Sequence, residues 1–580
     1  MEKAELKKLI DVAAGRVPAD IVIRNGRVVD VYNACIIEGQ DVAICGDTIA
    51  GVGEYEGLRV VDAQGAYVLP GFIDAHIHIE SSYVTPEELG RLLVPRGTTT
   101  IVADPHEIVN VCGLDGLNYM LEAAKHTELD ILYVLPSCVP ATPFENAGAV
   151  VDASMMREPL KNDRILGLGE FMDYPGVTNA DTNILDKLLA AKQQGKIVDG
   201  HSPDLFGNAL NAYASAGILT DHECSDAQEL TDRVARGMYV LLREGSACHN
   251  LRTLLKAVTP ANSRRCLLCS DDRQAKTILT VGHIDNHLRM CVDEGLNPLT
   301  AIQMATLNAA ECYRLHDRGA IAPGLRADIV LVDNLQTFQA RRVFLRGKEI
   351  AADGQYLKSF VRCPTTVVQG SFNVKDFSKD KLRLKLASEH VYVIDIQPGG
   401  VVTGKKTAKV QRDANGEFVF QPNANIAKVA VVERHKGTGN VARALLRGYG
   451  IKTGAIALSI AHDSHNIITV GTNDEDMAFA VETLISQGGG ICLVDKQKVV
   501  NTMQMPVGGL MTDQTGEWVS EKLEQIHADA HQCLGISKEV EPVMTLCFMS
   551  LPVIPELKIT DLGLFDVTQF SFIPIEAEEA

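Results

Sequence analysis

The chain has no excess of basic charge. Its 55 Lys and Arg face 74 Asp and Glu, a net charge of −19. A phosphate backbone is met by a cationic footprint, so neither nucleic acid nor an anionic membrane is expected as partner. No run of about 18 apolar residues occurs, so no membrane-spanning helix is expected. The first residues, MEKAELKKLIDVAAGR, are charged and amphipathic and lack the apolar core of a secretory signal. The 14 cysteines form no compact framework. In a long chain without an export signal they read as reduced thiols, and the cytoplasm is the expected compartment. The glycine runs at 488–490 and 508–509 match neither a phosphate loop nor a dinucleotide fingerprint.

What is present is 46 % hydrophobic and 22 % charged residues over 580 positions, enough for several globular domains. Residues 20–63 read as short strands with tight turns at Asn25-Gly26 and Gly46-Asp47. A similar texture returns at 327–355. One small β-domain, built from residues 1–70 and 310–365, is expected. Between its halves, residues 71–309 alternate strand and helix. Eight strand segments are legible, at 71–79, 98–105, 130–138, 165–171, 197–203, 219–223, 239–246 and 266–272. Most are continuous apolar runs, the mark of parallel strands buried on both faces. The expected fold class is α/β, a (β/α)8 TIM-like barrel, with a doubly wound open sheet as the competing architecture. Residues 366–580 read as a C-terminal α+β domain.

The polar residues of the central block gather at predicted strand ends. His76 and His78 close the first strand in GFIDAHIHI. At i and i+2 in a strand their rings point to one side, which suits a shared metal. Asp104, His106 and Glu107 follow the second strand. Glu170 ends the fourth, His201 the fifth, His222 and Glu223 the sixth, and Asp271 and Asp272 the eighth. In a barrel these ends face one mouth, where barrel enzymes keep their sites. An open sheet would spread them along an edge. Four histidines and two carboxylates without cysteine suit Zn²⁺, Mn²⁺ or Fe²⁺. Six ligands exceed what one catalytic ion needs and fit two ions about 3.5–4 Å apart. A hydroxide bridging such ions attacks sp² carbon at neutral pH, so a hydrolase is expected.

The motif VLPGFIDAHIHIESS, the strand-end His201 and His222, Asp271, and the return APGLRADIVLVD resemble the amidohydrolase superfamily. More narrowly, TTTIVADPHEIVNV, GLGEFMDYPGV, DGHSPDL, CSDDR and AHDSHNIITVGTN resemble the bacterial adenine deaminases. The resemblance spans nearly the whole chain. It implies hydrolysis of adenine to hypoxanthine and ammonia in purine salvage. It implies two divalent ions, Mn²⁺ or Fe²⁺, with Zn²⁺ as a further option. His76 and His78 would hold the first ion, His201 and His222 the second, and Glu170 would bridge them. Asp271 would ligate the first ion and shuttle protons, with Asp272 as its rival. Glu107 would protonate ring N1 or else orient a ligand histidine. Ser81, Ser82 and Arg273 are candidate contacts to the base. The assembly expected is a homo-oligomer, a dimer first.

Other readings compete. A cyclic-amide hydrolase or another nucleobase deaminase would share barrel and metals, since loops decide substrate. A non-enzymatic scaffold would not need the ligand set. His78-Ile-Glu80 with Cys266-Leu-Leu-Cys269 imitates the small zinc deaminases. However, Arg265 stands where that signature has proline, and positions i and i+3 of a strand face opposite sides. His462-Asp-Ser-His465 reads as a polar loop or domain-interface network before a metal site.

Overall fold

A computed structural model describes residues 2–397, 399, 401–421 and 425–577. Residues 1 and 578–580, at the outer ends of the first and last expected domains, lie outside the described residues.

The central strands are β1 (Phe72–His78), β2 (Thr98–Ala103), β3 (Asp130–Leu135), β4 (Ile165–Phe171), β5 (Ile197–Gly200), β6 (Thr220–Asp221), β7 (Tyr239–Arg243) and β8 (Cys266–Cys269). From β1 to β5 the neighbours pair in parallel and in chain order. β6, β7 and β8 do the same. Between the two arcs, the Leu219 amide donates to the Val198 carbonyl at 2.9 Å. After Ser270 the chain re-enters the sheet, and Asp271 and Asp272 pair with Ile77 and His78 of β1. The sheet thus curls round until its last strand meets its first, as a TIM-like barrel requires.

Alternation along these strands sorts two apolar cores. Ile73, Ala75, Val102, Leu132, Leu241 and Cys269 fill the barrel interior. Cys266, Leu268, Leu242 and Ile77 pack outward against the helices. The two cysteines of the C-x-x-C therefore belong to different cores. All fourteen cysteines are free thiols.

Chain segments on both sides of the barrel share one sheet. Ile329–Val332 lies antiparallel to Tyr67–Pro70, with Ile329 opposite Pro70. Tyr67–Pro70 also pairs in parallel with Arg27–Asp30. Beyond it, Asp395 and its neighbours enter an eight-stranded mixed sheet. Helices Asp474–Ser486 and Gly516–Gln532 belong to the same C-terminal part. Among the described residues no helix is long and apolar enough to cross a membrane.

Candidate metal centre

β1 delivers His76 and His78 fully buried at its C-terminal tip. Their Nε2 atoms stand 3.2 Å apart. The other nitrogen of each ring is already engaged. His78 Nδ1 donates to the Asp104 carbonyl at 2.9 Å, and His76 Nδ1 faces Asp199 Oδ2 at 3.3 Å. With Nδ1 protonated, each Nε2 presents a lone pair to the other. Two lone pairs at that distance repel unless a cation lies among them. Asp271 Oδ1 adds a third donor, 3.1 Å from His78 Nε2 and 3.7 Å from His76 Nε2.

Glu170, from the end of β4, reaches between two groups of rings. Its Oε1 lies 3.5 Å from His78 Nε2 and 3.1 Å from His106 Nδ1. Its Oε2 lies 2.8 Å from His201 Nδ1 and 3.0 Å from His222 Nε2. The His76 and His222 rings stack at 4.1 Å. His222 Nδ1 is buried without a hydrogen-bond partner among the described residues. Gly169 matters here: a Cβ at that position would sit 2.0 Å from Asp104 Oδ2. Its absence lets that carboxylate accept the Glu170 amide at 3.0 Å and so fix where Glu170 points. The donor set is hard to intermediate, oxygen and imidazole, and suits divalent Mn, Fe or Zn. These residues fit the expected ions.

The electrostatics agree with carboxylates kept ionised. Burial raises the Glu170 carboxyl, but hydrogen bonds from His106, His201 and His222 outweigh it and hold it well below its ordinary range. Burial likewise opposes ionisation of Asp271, yet Arg243 and His78 hold it well below the usual carboxylate value. Arg243 was not legible as a site residue. It ends β7, donates to Asp271 Oδ2 at 2.9 Å and pairs with Glu223. The arginine at a strand end was the available sign.

The C-terminal part closes the mouth. His462, Asp463, Phe548 and Leu551 line the cavity together with His201 and His222. The His462 ring stacks on Phe548 at 4.7 Å. Asp463 Oδ1 lies 3.7 Å from His106 Nε2. Beside this cavity is a second chamber lined by Ser81, Glu107, Asp272, His462 and Phe548. The Ser81 hydroxyl lies 2.9 Å from Glu107 Oε1 and 2.5 Å from Asp272 Oδ1.

Two candidate base contacts do not reach either chamber. The Ser82 hydroxyl donates to the Ile79 carbonyl at 2.5 Å. Arg273 donates to the carbonyls of Glu244 at 2.8 Å and Gly282 at 2.6 Å. Both are buried. Their polarity serves the backbone of turns.

A curled parallel sheet with histidines and carboxylates at its strand ends defines a metal-dependent hydrolase of the amidohydrolase class. The amidohydrolase family model matches residues 67–371, and the adenine deaminase C-terminal domain matches residues 400–571. An adenine deaminase 2 of Desulfotalea psychrophila is 62 % identical over all of both chains. An adenine deaminase of Ligilactobacillus salivarius is 52 % identical, again over 100 % of each. One from Nitratidesulfovibrio vulgaris is 50 % identical over 98 % of this chain and 99 % of its own. The chain belongs to the adenine deaminase family.

Proposed function

We propose that the protein hydrolyses adenine to hypoxanthine and ammonia, with Mn²⁺ or Fe²⁺ as resident ions. The observation that carries this reading is the convergence of His76, His78, Glu170, His201, His222 and Asp271 on one buried point, in a chain whose full-length relatives bear that name. His76, His78 and Asp271 would hold one ion, His201 and His222 the other, and Glu170 would serve both. Such ions, when bound, acidify water and polarise the carbon under attack.

The chain's own residues move the protons. Asp271 turns Oδ1 to the cluster, while Oδ2 is held by Arg243. It is placed to take the proton of the attacking water and pass it to the departing amine. Asp272 directs Oδ1 to Ser81 instead, which favours Asp271 as the shuttle. Ser81 has one hydroxyl proton and two carboxyl neighbours, so the second neighbour needs a proton of its own. Burial and the charge of Asp272 both raise the Glu107 carboxyl. Glu107 is therefore our candidate acid for ring N1. His462, Phe548 and Leu551 would exclude water above the base. A homodimer in the cytoplasm completes the proposal.

The test is ammonia release from adenine by the full chain reconstituted with Mn²⁺, with Asp271→Asn beside it. Turnover in the wild type and none in the variant supports both substrate and shuttle. Two bound ions without turnover on adenine would refute the substrate and direct assays to cyclic amides.

A further inference from the structure

His465 is fully buried, yet among the described residues neither of its ring nitrogens has a hydrogen-bond partner. An imidazole in that condition loses its solvation without compensation. Its backbone is not idle: the His465 carbonyl accepts from the buried Arg434, which pins the loop where it is. The ring lies beside Glu107 and His462, two residues that line the side chamber next to the metal centre. Its Nε2 lies 3.7 Å from Glu107 Oε2, too long for a hydrogen bond. The His462 ring lies 5.6 Å from the His465 ring, centre to centre. One donor atom each from Glu107, His462 and His465 lies within 4.8 Å of the others. Around a single ion of zinc size, donors lie at most about 4.2 Å apart. Side-chain rotations of a few tenths of an ångström would close that difference.

We propose that Glu107, His462 and His465 form a third divalent-cation site, separate from the paired centre, that ties the C-terminal part to the barrel. The barrel supplies Glu107 from the first turn of helix His106–Ala123. The loop between strands Ala455–Leu458 and Ile467–Gly471 supplies both histidines. Two imidazoles and one carboxylate leave coordination positions open and suit Mn²⁺, Fe²⁺ or Zn²⁺. The Ser81 hydroxyl stays on Glu107 Oε1, so the free oxygen is the one turned to His465. A cation here keeps Glu107 ionised. If Glu107 is the N1 acid, as proposed above, filling this site inhibits turnover, and excess metal lowers activity.

The experiment is equilibrium dialysis of the full chain against Mn²⁺, with elemental analysis, for wild type, His465→Ala and His462→Gln. The site predicts three equivalents in the wild type and two in each variant. The second variant guards against misfolding of the first. Two equivalents throughout, or three throughout, would overturn the proposal. Activity against Mn²⁺ concentration is read beside it. A third equivalent without inhibition supports the cation site and refutes the acid role of Glu107.

Discussion

Arg243 Nη1 donates to Asp271 Oδ2 at 2.9 Å, and both side chains are buried. β7 thus holds, from beneath, the carboxylate whose other oxygen faces His76 and His78. The same guanidinium pairs with Glu223. Replacing it leaves the buried Asp271 and the partly buried Glu223 without their cation. Arg243→Met is expected to lower kcat by about 100-fold, the scale seen when one preorganised donor is removed. Steady-state kinetics would check this, and an unchanged kcat would dismiss Arg243 as a positioning residue.

Glu170 touches four imidazoles through its two oxygens. Glu170→Gln removes the charge while keeping the shape. The reconstituted variant is expected to hold two fewer equivalents of metal than the wild type and to lose turnover with them. Full occupancy and full activity together would sink its bridging assignment.

Removing the ions should cost stability as well as activity. The Nε2 atoms of His76 and His78 then face each other at 3.2 Å without a metal ion to hold them together. A ligand at 100 times its Kd stabilises by about 2.7 kcal/mol. Chelation is expected to lower Tm, and Mn²⁺ to restore Tm and ammonia release together. An unshifted Tm would show that the cluster does not depend on cations.

Lys558 is fully buried and donates to the carbonyls of Val401 at 2.7 Å and Phe548 at 3.0 Å. Burial lowers its pKa from 10.5 to about 7. The unfolded chain therefore binds the extra proton between those two values, and stability rises with pH across that window. From pH 7 to pH 9 the gain from this group is about 2 kcal/mol. Lys558→Met should remove that slope. Urea unfolding of both chains at the two pH values would test it, and parallel slopes would count against a neutral Lys558.

Much of the cluster was legible in the sequence because its histidines and carboxylates end strands. His76 and His78 share a face through the two-residue period alone, and the apolar runs marked where each strand stops. The C-x-x-C was recognisable as a decoy by the same period, and the structure puts Cys266 and Cys269 in different cores. For Ser82 and Arg273, polarity near the cluster does not say what it bonds. Backbone carbonyls at the turns claim both.

Local periodicity thus determined which side chains leave which strand ends, and net charge determined which partners are unsuitable. Barrel closure decided the rest. Arg243 reaches Asp271 across 28 positions of chain, and Asp463 reaches His106 across more than half of it. The cavity roof of His462 and Phe548 comes from a part with no strand-end pattern to announce it. Such contacts form only when a sheet curls and another layer packs over its mouth. Their partners are set by three-dimensional distance, which strand and helix periods do not encode.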